Sequence, residues 1–117
     1  MIIGIAKVEE VPRSPDGIEY FVNVVGLPAP DTFYHCPCCF YPTLPMRGGF
    51  EVCPVCYWED DGQDSHDADR IRGGPNGVIS LTQARANYIE HGSYDVRFSS
   101  KARKPNHEEI KYRNHVR

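Results

Sequence analysis

Long apolar runs are missing from this 117-residue chain, and nothing in it reaches the ~20 residues of a membrane-crossing helix. Also missing are a Ser-His-Asp arrangement, a phosphate loop and a dinucleotide fingerprint, so an enzyme is not expected. Basic side chains are scarce in the first part of the chain. Residues 1–69 carry three Lys or Arg against twelve acids, a net of −9, whereas residues 70–117 carry ten against four, a net of +6. An acidic front suits a protein partner with a basic surface better than it suits nucleic acid. The opening Met1-Ile2-Ile3-Gly4-Ile5-Ala6 has no basic leader, which leads to the expectation of a soluble cytoplasmic protein with reduced thiols.

Two short phrases stand out against these absences. Cys36-Pro37-Cys38-Cys39-Phe40-Tyr41 and Cys53-Pro54-Val55-Cys56-Tyr57-Trp58 both read Cys-Pro-x-Cys followed by two aromatics. A tight loop aims two cysteines of such a hook at one point, and the proline pre-sets φ for it. Two hooks supply the four thiolates of a tetrahedral metal site: Cys36, Cys39, Cys53 and Cys56. Disulfides are the alternative for the same cysteines. Ten glycines and ten prolines imply short elements and a thin interior. A structural zinc, with about 10–16 kcal/mol of apparent binding energy, matches the whole stability of an ordinary domain, so its removal is expected to melt much of the fold.

The expected fold is small α+β: a zinc-ribbon or rubredoxin-like metal domain with an N-terminal β-hairpin and one or two C-terminal helices. Ile18, Tyr20, Val22 and Val24 alternate with their neighbours, and Pro12 to Gly17 supplies a turn, so residues 1–34 read as a hairpin extension packed on the core. Residues 35–98 hold the metal domain. Between the hooks, Thr43-Leu44 leads outward, Arg47-Gly48-Gly49 turns, and Phe50-Glu51-Val52 returns as a second hairpin. Ser80-Leu81-Thr82-Gln83 has the capping-box form and opens a helix with Leu81, Ala84, Tyr88 and Ile89 on one face, closed by Gly92. Residues 99–117 form a basic tail, solvated or docked on a partner, with a short helix that Asn106 is placed to cap.

These phrases, together with Trp58-Glu59-Asp60-Asp61, Gly73-Gly74-Pro75-Asn76, Ser80-Leu81, Ala84-Arg85 and Asn87-Tyr88, resemble the cysteine-rich CPCC domain family. The resemblance runs from about Cys36 to about Arg97, a little over half the chain. It implies zinc and supplies no reaction. One position departs from the family pattern: Phe40 stands where glycine usually follows the first hook. A bulky residue is costly at positive φ, so that loop is expected to be turned differently or stabilised by packing.

Other residues have a chemical and a structural reading. Cys38 is a fifth sulfur, but the negative cluster beside it disfavours a reactive thiolate, and it reads as a small loop residue. Glu59, Asp60, Asp61, Asp64, His66, Asp67 and Asp69 offer a second cation site. The glycine and glutamate spacing of a calcium loop is absent, so Asp60 and Asp61 read instead as acceptors for backbone amides or partners of Arg70, Arg72 or Arg85. Phe40, Tyr41, Tyr57 and Trp58 read as a miniature core, and exposure of Trp58 or Phe50 would mark a partner anchor. The expected function is a structural-zinc protein-interaction module, one form of which is an immunity protein binding a cognate toxin. The alternatives are a rubredoxin-like iron electron carrier and a zinc-ribbon nucleic-acid binder using the basic tail.

Overall fold

The computed structural model describes residues 33–113. Of the hairpin extension expected over residues 1–34, residues 1–32 lie outside the described residues. Strands β1 (Tyr34–His35) and β2 (Pro42–Leu44) pair antiparallel on either side of the first hook, with Tyr34 opposite Leu44 and His35 opposite Pro42. The second hook repeats this closure with a single bridge between Val52 and Glu59.

This arrangement corrects the hairpin expected between the hooks. Residues 42–44 pair with residues 34–35 instead of residues 50–52. Each hook makes its own closing bond, Cys36 N–H to the Tyr41 carbonyl at 2.8 Å and Cys53 N–H to the Trp58 carbonyl at 3.0 Å. A six-residue closure loses less chain entropy than one spanning the thirteen residues between Cys39 and Cys53. The two knuckles are thus separate, like-built units.

Helix α1 (Leu81–His91) starts where the capping residues place it: the Ser80 side chain accepts from the Gln83 amide at 3.0 Å. Gly92, at φ 80°, ends it and returns its N–H to the Tyr88 carbonyl. Leu81 and Ala84 are buried as expected, but Ile89 is exposed and Arg85 is buried with them. Helix α2 (His107–Arg113) is capped reciprocally by Asn106 and Glu109, each side chain accepting from the other's amide at 2.9 Å. It does not trail into solvent. The His35 ring donates to the Tyr112 carbonyl at 3.2 Å and Arg113 Nε donates to the Cys39 carbonyl at 3.0 Å, which docks α2 on the first knuckle. No helix among the described residues is long and apolar enough to cross a membrane.

The interior is small and mostly sulfur and aromatic. Trp58, Leu44, Val55 and Leu81 pack with the cysteines, all essentially inaccessible. Trp58 meets Tyr94 edge-on at 5.6 Å, Tyr94 stacks on Phe98 at 5.7 Å, and Phe98 stacks on Tyr57 at 5.5 Å. This aromatic run covers the second knuckle, and Tyr41 against Tyr88 lies beside the first. Each well-placed pair adds about 0.5–1.5 kcal/mol beyond its buried area.

Candidate metal centre

Each knuckle turns through a residue in the left-handed region, Phe40 at φ 69° and Tyr57 at φ 71°. Phe40 N–H bonds the Cys36 carbonyl and Tyr57 N–H bonds the Cys53 carbonyl, both at 2.8 Å. The first loop is therefore turned in the same way as the second, and the bulk of Phe40 is accommodated by packing. Its ring is buried, with the Arg85 guanidinium 5.0 Å from its centroid on one contact and that of Arg113 at 5.9 Å on another. Arg85 also donates to the Pro37 carbonyl at 2.8 Å and to Ser65 Oγ at 3.0 Å, tying α1 to the first knuckle.

The loops bring Cys36, Cys39, Cys53 and Cys56 together, with all four sulfurs within 4.8 Å of one another and all four residues fully buried. Cys36 and Cys56 sulfurs are 3.6 Å apart, and those of Cys39 and Cys53 3.7 Å. A metal–sulfur bond of about 2.3 Å places the corners of a tetrahedron about 3.8 Å apart, so the donor set fits a tetrathiolate ion. All five cysteines are free. Disulfide pairing is not the arrangement found.

Donors surround these sulfurs. The amides of Cys38 and Trp58 point at Cys36 Sγ (3.4 Å) and Cys56 Sγ (3.5 Å), and the Thr43 hydroxyl donates to Cys53 Sγ at 3.0 Å. Burial pushes the Cys36 thiol up to about 11 and lifts Cys39 and Cys56 well above the thiol range. Burial also acts on Cys53, but hydrogen bonds from Cys36, Cys39, Cys56 and Thr43 outweigh it and hold that thiol well below the range. Four buried sulfurs in contact cannot all be anionic without a cation among them. Cys38, itself buried, contributes its amide to this shell, in keeping with a small loop residue. Thr43 carried no signal in the sequence beyond its place near the hooks.

The acidic run does not assemble a second site: the four cysteines are the one group of three or more metal-binding side chains among the described residues. Asp60 is fully buried and accepts from the amides of Gly48 (2.7 Å) and Gly62 (3.1 Å), the structural role expected of it. Its cationic partner is Arg47, at 2.8 Å, and not Arg70, Arg72 or Arg85. Arg47 also reaches Asp64 at 3.0 Å and the Gln63 carbonyl at 2.8 Å. Asp61 accepts from the Gln63 amide, Asp64 and Asp67 cap the 3-10 turn Ser65–Asp67, and Asp69 accepts from Thr82. His66 is exposed beside Asp67, at 3.8 Å. Asn76 shows why Gly73-Gly74-Pro75-Asn76 matters: its side chain accepts from Glu59 N–H at 3.2 Å and donates to the Glu59 carbonyl at 2.8 Å, completing the second knuckle's edge as a strand would.

The fold and the sulfur cluster define a small α+β metal-binding domain built on paired Cys-x-x-Cys knuckles. The chain belongs to the cysteine-rich CPCC family, whose model matches residues 34–109, about two thirds of its length. That match extends past Arg97 into α2. No curated protein and no solved structure shows significant similarity to it.

Proposed function

We propose that this protein is a non-enzymatic, structural-zinc module that binds another protein through its acidic face. The observation that carries the reading is the closure of the centre: four protein thiolates, each fully buried, leave no position for water or substrate. The ion then serves the fold. What the module offers a partner is supported by Phe50, 55% exposed while Trp58 is buried, in a segment whose one cation, Arg47, is spent on Asp60 and Asp64. A toxin with a basic surface, neutralised by this protein, is one partner of that chemistry.

A second reading is favoured by one observation. Two amides and a hydroxyl aimed at three of the sulfurs are the kind of hydrogen bonding that tunes an iron tetrathiolate. Elemental analysis with optical absorption on the purified protein separates the two. One zinc per chain and a colourless solution are expected, and a red, redox-active preparation overturns the structural-zinc reading.

A further inference from the structure

Residues 45–52 form an apolar finger. Met46 (48% exposed), Phe50 (55%) and Val52 (44%) present large side chains to solvent, and Met46 folds its sulfur over Gly49, where a Cβ would lie 2.7 Å from it. The finger is braced from beneath: Arg47 is clasped by Asp60 and Asp64, Gly48 N–H is held by Asp60, and Phe50 N–H bonds the Asp60 carbonyl at 2.9 Å. Phe50 is held at φ 63°, a conformation non-glycine residues adopt rarely. Such an anchor loses little freedom on binding. Glu51, exposed, and Glu59 and Asp61, half-buried, give its surroundings a negative sign.

The molecule carries a surface of the opposite kind. Between the end of α1 and the start of α2 lies a groove of about 430 Å3, with Tyr88, Pro105 and Ile110 as apolar walls and His91, Arg103 and Lys104 among its lining. Two acids flank it: Glu109 is buried and bonded to Arg103 at 2.8 and 2.9 Å, and exposed Glu90 lies 3.7 Å from His91, which leaves Lys104 as the lining cation with no acid partner among the described residues. Its volume falls in the roughly 300–1,000 Å3 of ligand-sized pockets, room for an aromatic side chain. Finger and groove share no residue.

We propose that the occupant of this groove is the finger of a second copy of the chain, with Phe50 seated between Tyr88 and Ile110 and the acidic rim of the finger facing Lys104. This deepens the protein-interaction reading and rests on it, and it makes one partner of the acidic face the protein itself. The contact is heterologous, finger to groove, so it closes a dimer when made twice and extends a chain when made once per copy. A contact of this size is weak and salt-sensitive.

Sedimentation velocity on the full metal-loaded chain at increasing concentration tests it. The average mass should rise with concentration in low salt and return to monomer in high salt. Phe50→Ala and Lys104→Glu, both at exposed positions, should each weaken association at least about tenfold with metal content unchanged. Mixing the two variants is the decisive measurement, because the Lys104→Glu chain keeps a good finger and the Phe50→Ala chain keeps a good groove. A one-to-one complex in the mixture supports the contact. A wild-type chain monomeric at every concentration, or a mixture no more associated than its components, overturns it. If the wild type stays monomeric while Phe50→Ala loses a foreign protein partner, this inference fails and the interaction-module reading stands.

Discussion

The guanidinium carbon of Arg85 sits 5.0 Å from the centroid of the Phe40 ring while its Nε donates to the Pro37 carbonyl at 2.8 Å. One side chain from α1 thus clamps both the entry and the exit of the first knuckle. Lysine keeps the charge but cannot stack on a ring and bond Pro37 and Ser65 together. Arg85→Lys should cost about 1.5–3 kcal/mol, as expected for lost charge-assisted hydrogen bonds at a buried site. Denaturant unfolding of the metal-loaded protein checks this, through a lower midpoint at unchanged slope.

Phe40 and Tyr57 occupy equivalent left-handed positions, at φ 69° and 71°, yet only Phe40 is fully buried. Glycine relieves about 1–3 kcal/mol of backbone strain at either site. At Phe40 the lost packing, about 3–5 kcal/mol for a buried Phe, outweighs that relief. Phe40→Gly should therefore destabilise the protein, whereas Tyr57→Gly, which gives up a half-buried ring and its stack on Phe98, should come out near neutral. Equal losses at the two sites would show that burial does not decide the sign.

Arg47 and Asp60 form a pair with side-chain exposures of 12% and 0%. Removing one charge strands the other, and Arg47→Ala should cost about 3–5 kcal/mol. Adding Asp60→Asn to that variant should cost much less than it does alone, giving a coupling of at least about 1.5 kcal/mol in a double-mutant cycle. Additive losses would mean that the brace beneath the finger is not a pair.

The contrast between these residues explains what could be read in advance. The four-cysteine cluster was legible because each hook is local: spacing and proline place two sulfurs without help from the rest of the fold. The caps at Ser80 and Asn106 were legible for the same reason. Strand pairing was not, since Thr43-Leu44 can pair with residues on either side in sequence and the choice falls to loop-closure entropy. Arg85 and Arg47 were hidden because patterning weighs apolar residues, and a buried guanidinium answers to partners far along the chain: Pro37 for the first, Asp60 and Asp64 for the second. Phe40 looked like a departure and is a second instance of the rule that Tyr57 follows.

Thr43 lies outside the ligand set but donates to Cys53 at 3.0 Å. Valine matches its shape and removes the donor. Loss of a residue that supports a ligand typically lowers metal affinity 10–100-fold, so Thr43→Val should lose its metal to a competing chelator at correspondingly lower chelator concentration, with Thr43→Ser close to wild type. An unchanged affinity in Thr43→Val would make the hydroxyl a packing group only.

The thiols fix the direction of the metal's pH dependence. Burial raises Cys36 from 9.0 to about 11 and lifts Cys39 and Cys56 well above 9.0, whereas Cys53 is lowered. In a metal-free fold Cys36 contributes stability that is fully present below 9.0 and lost as the pH rises through about 11, Cys39 and Cys56 act in the same direction, and Cys53 contributes at high pH and loses its share as the pH falls. Metal binding reverses the balance, because every ligand must be a thiolate and the protons on Cys36, Cys39 and Cys56 are competitors. Binding at neutral pH should therefore release protons, and affinity should fall on acidification. Titration calorimetry in buffers of different protonation enthalpy counts those protons directly. Release of none would mean that the ion is not held by these sulfurs, and a chelator that strips the ion without unfolding the chain would remove its structural role.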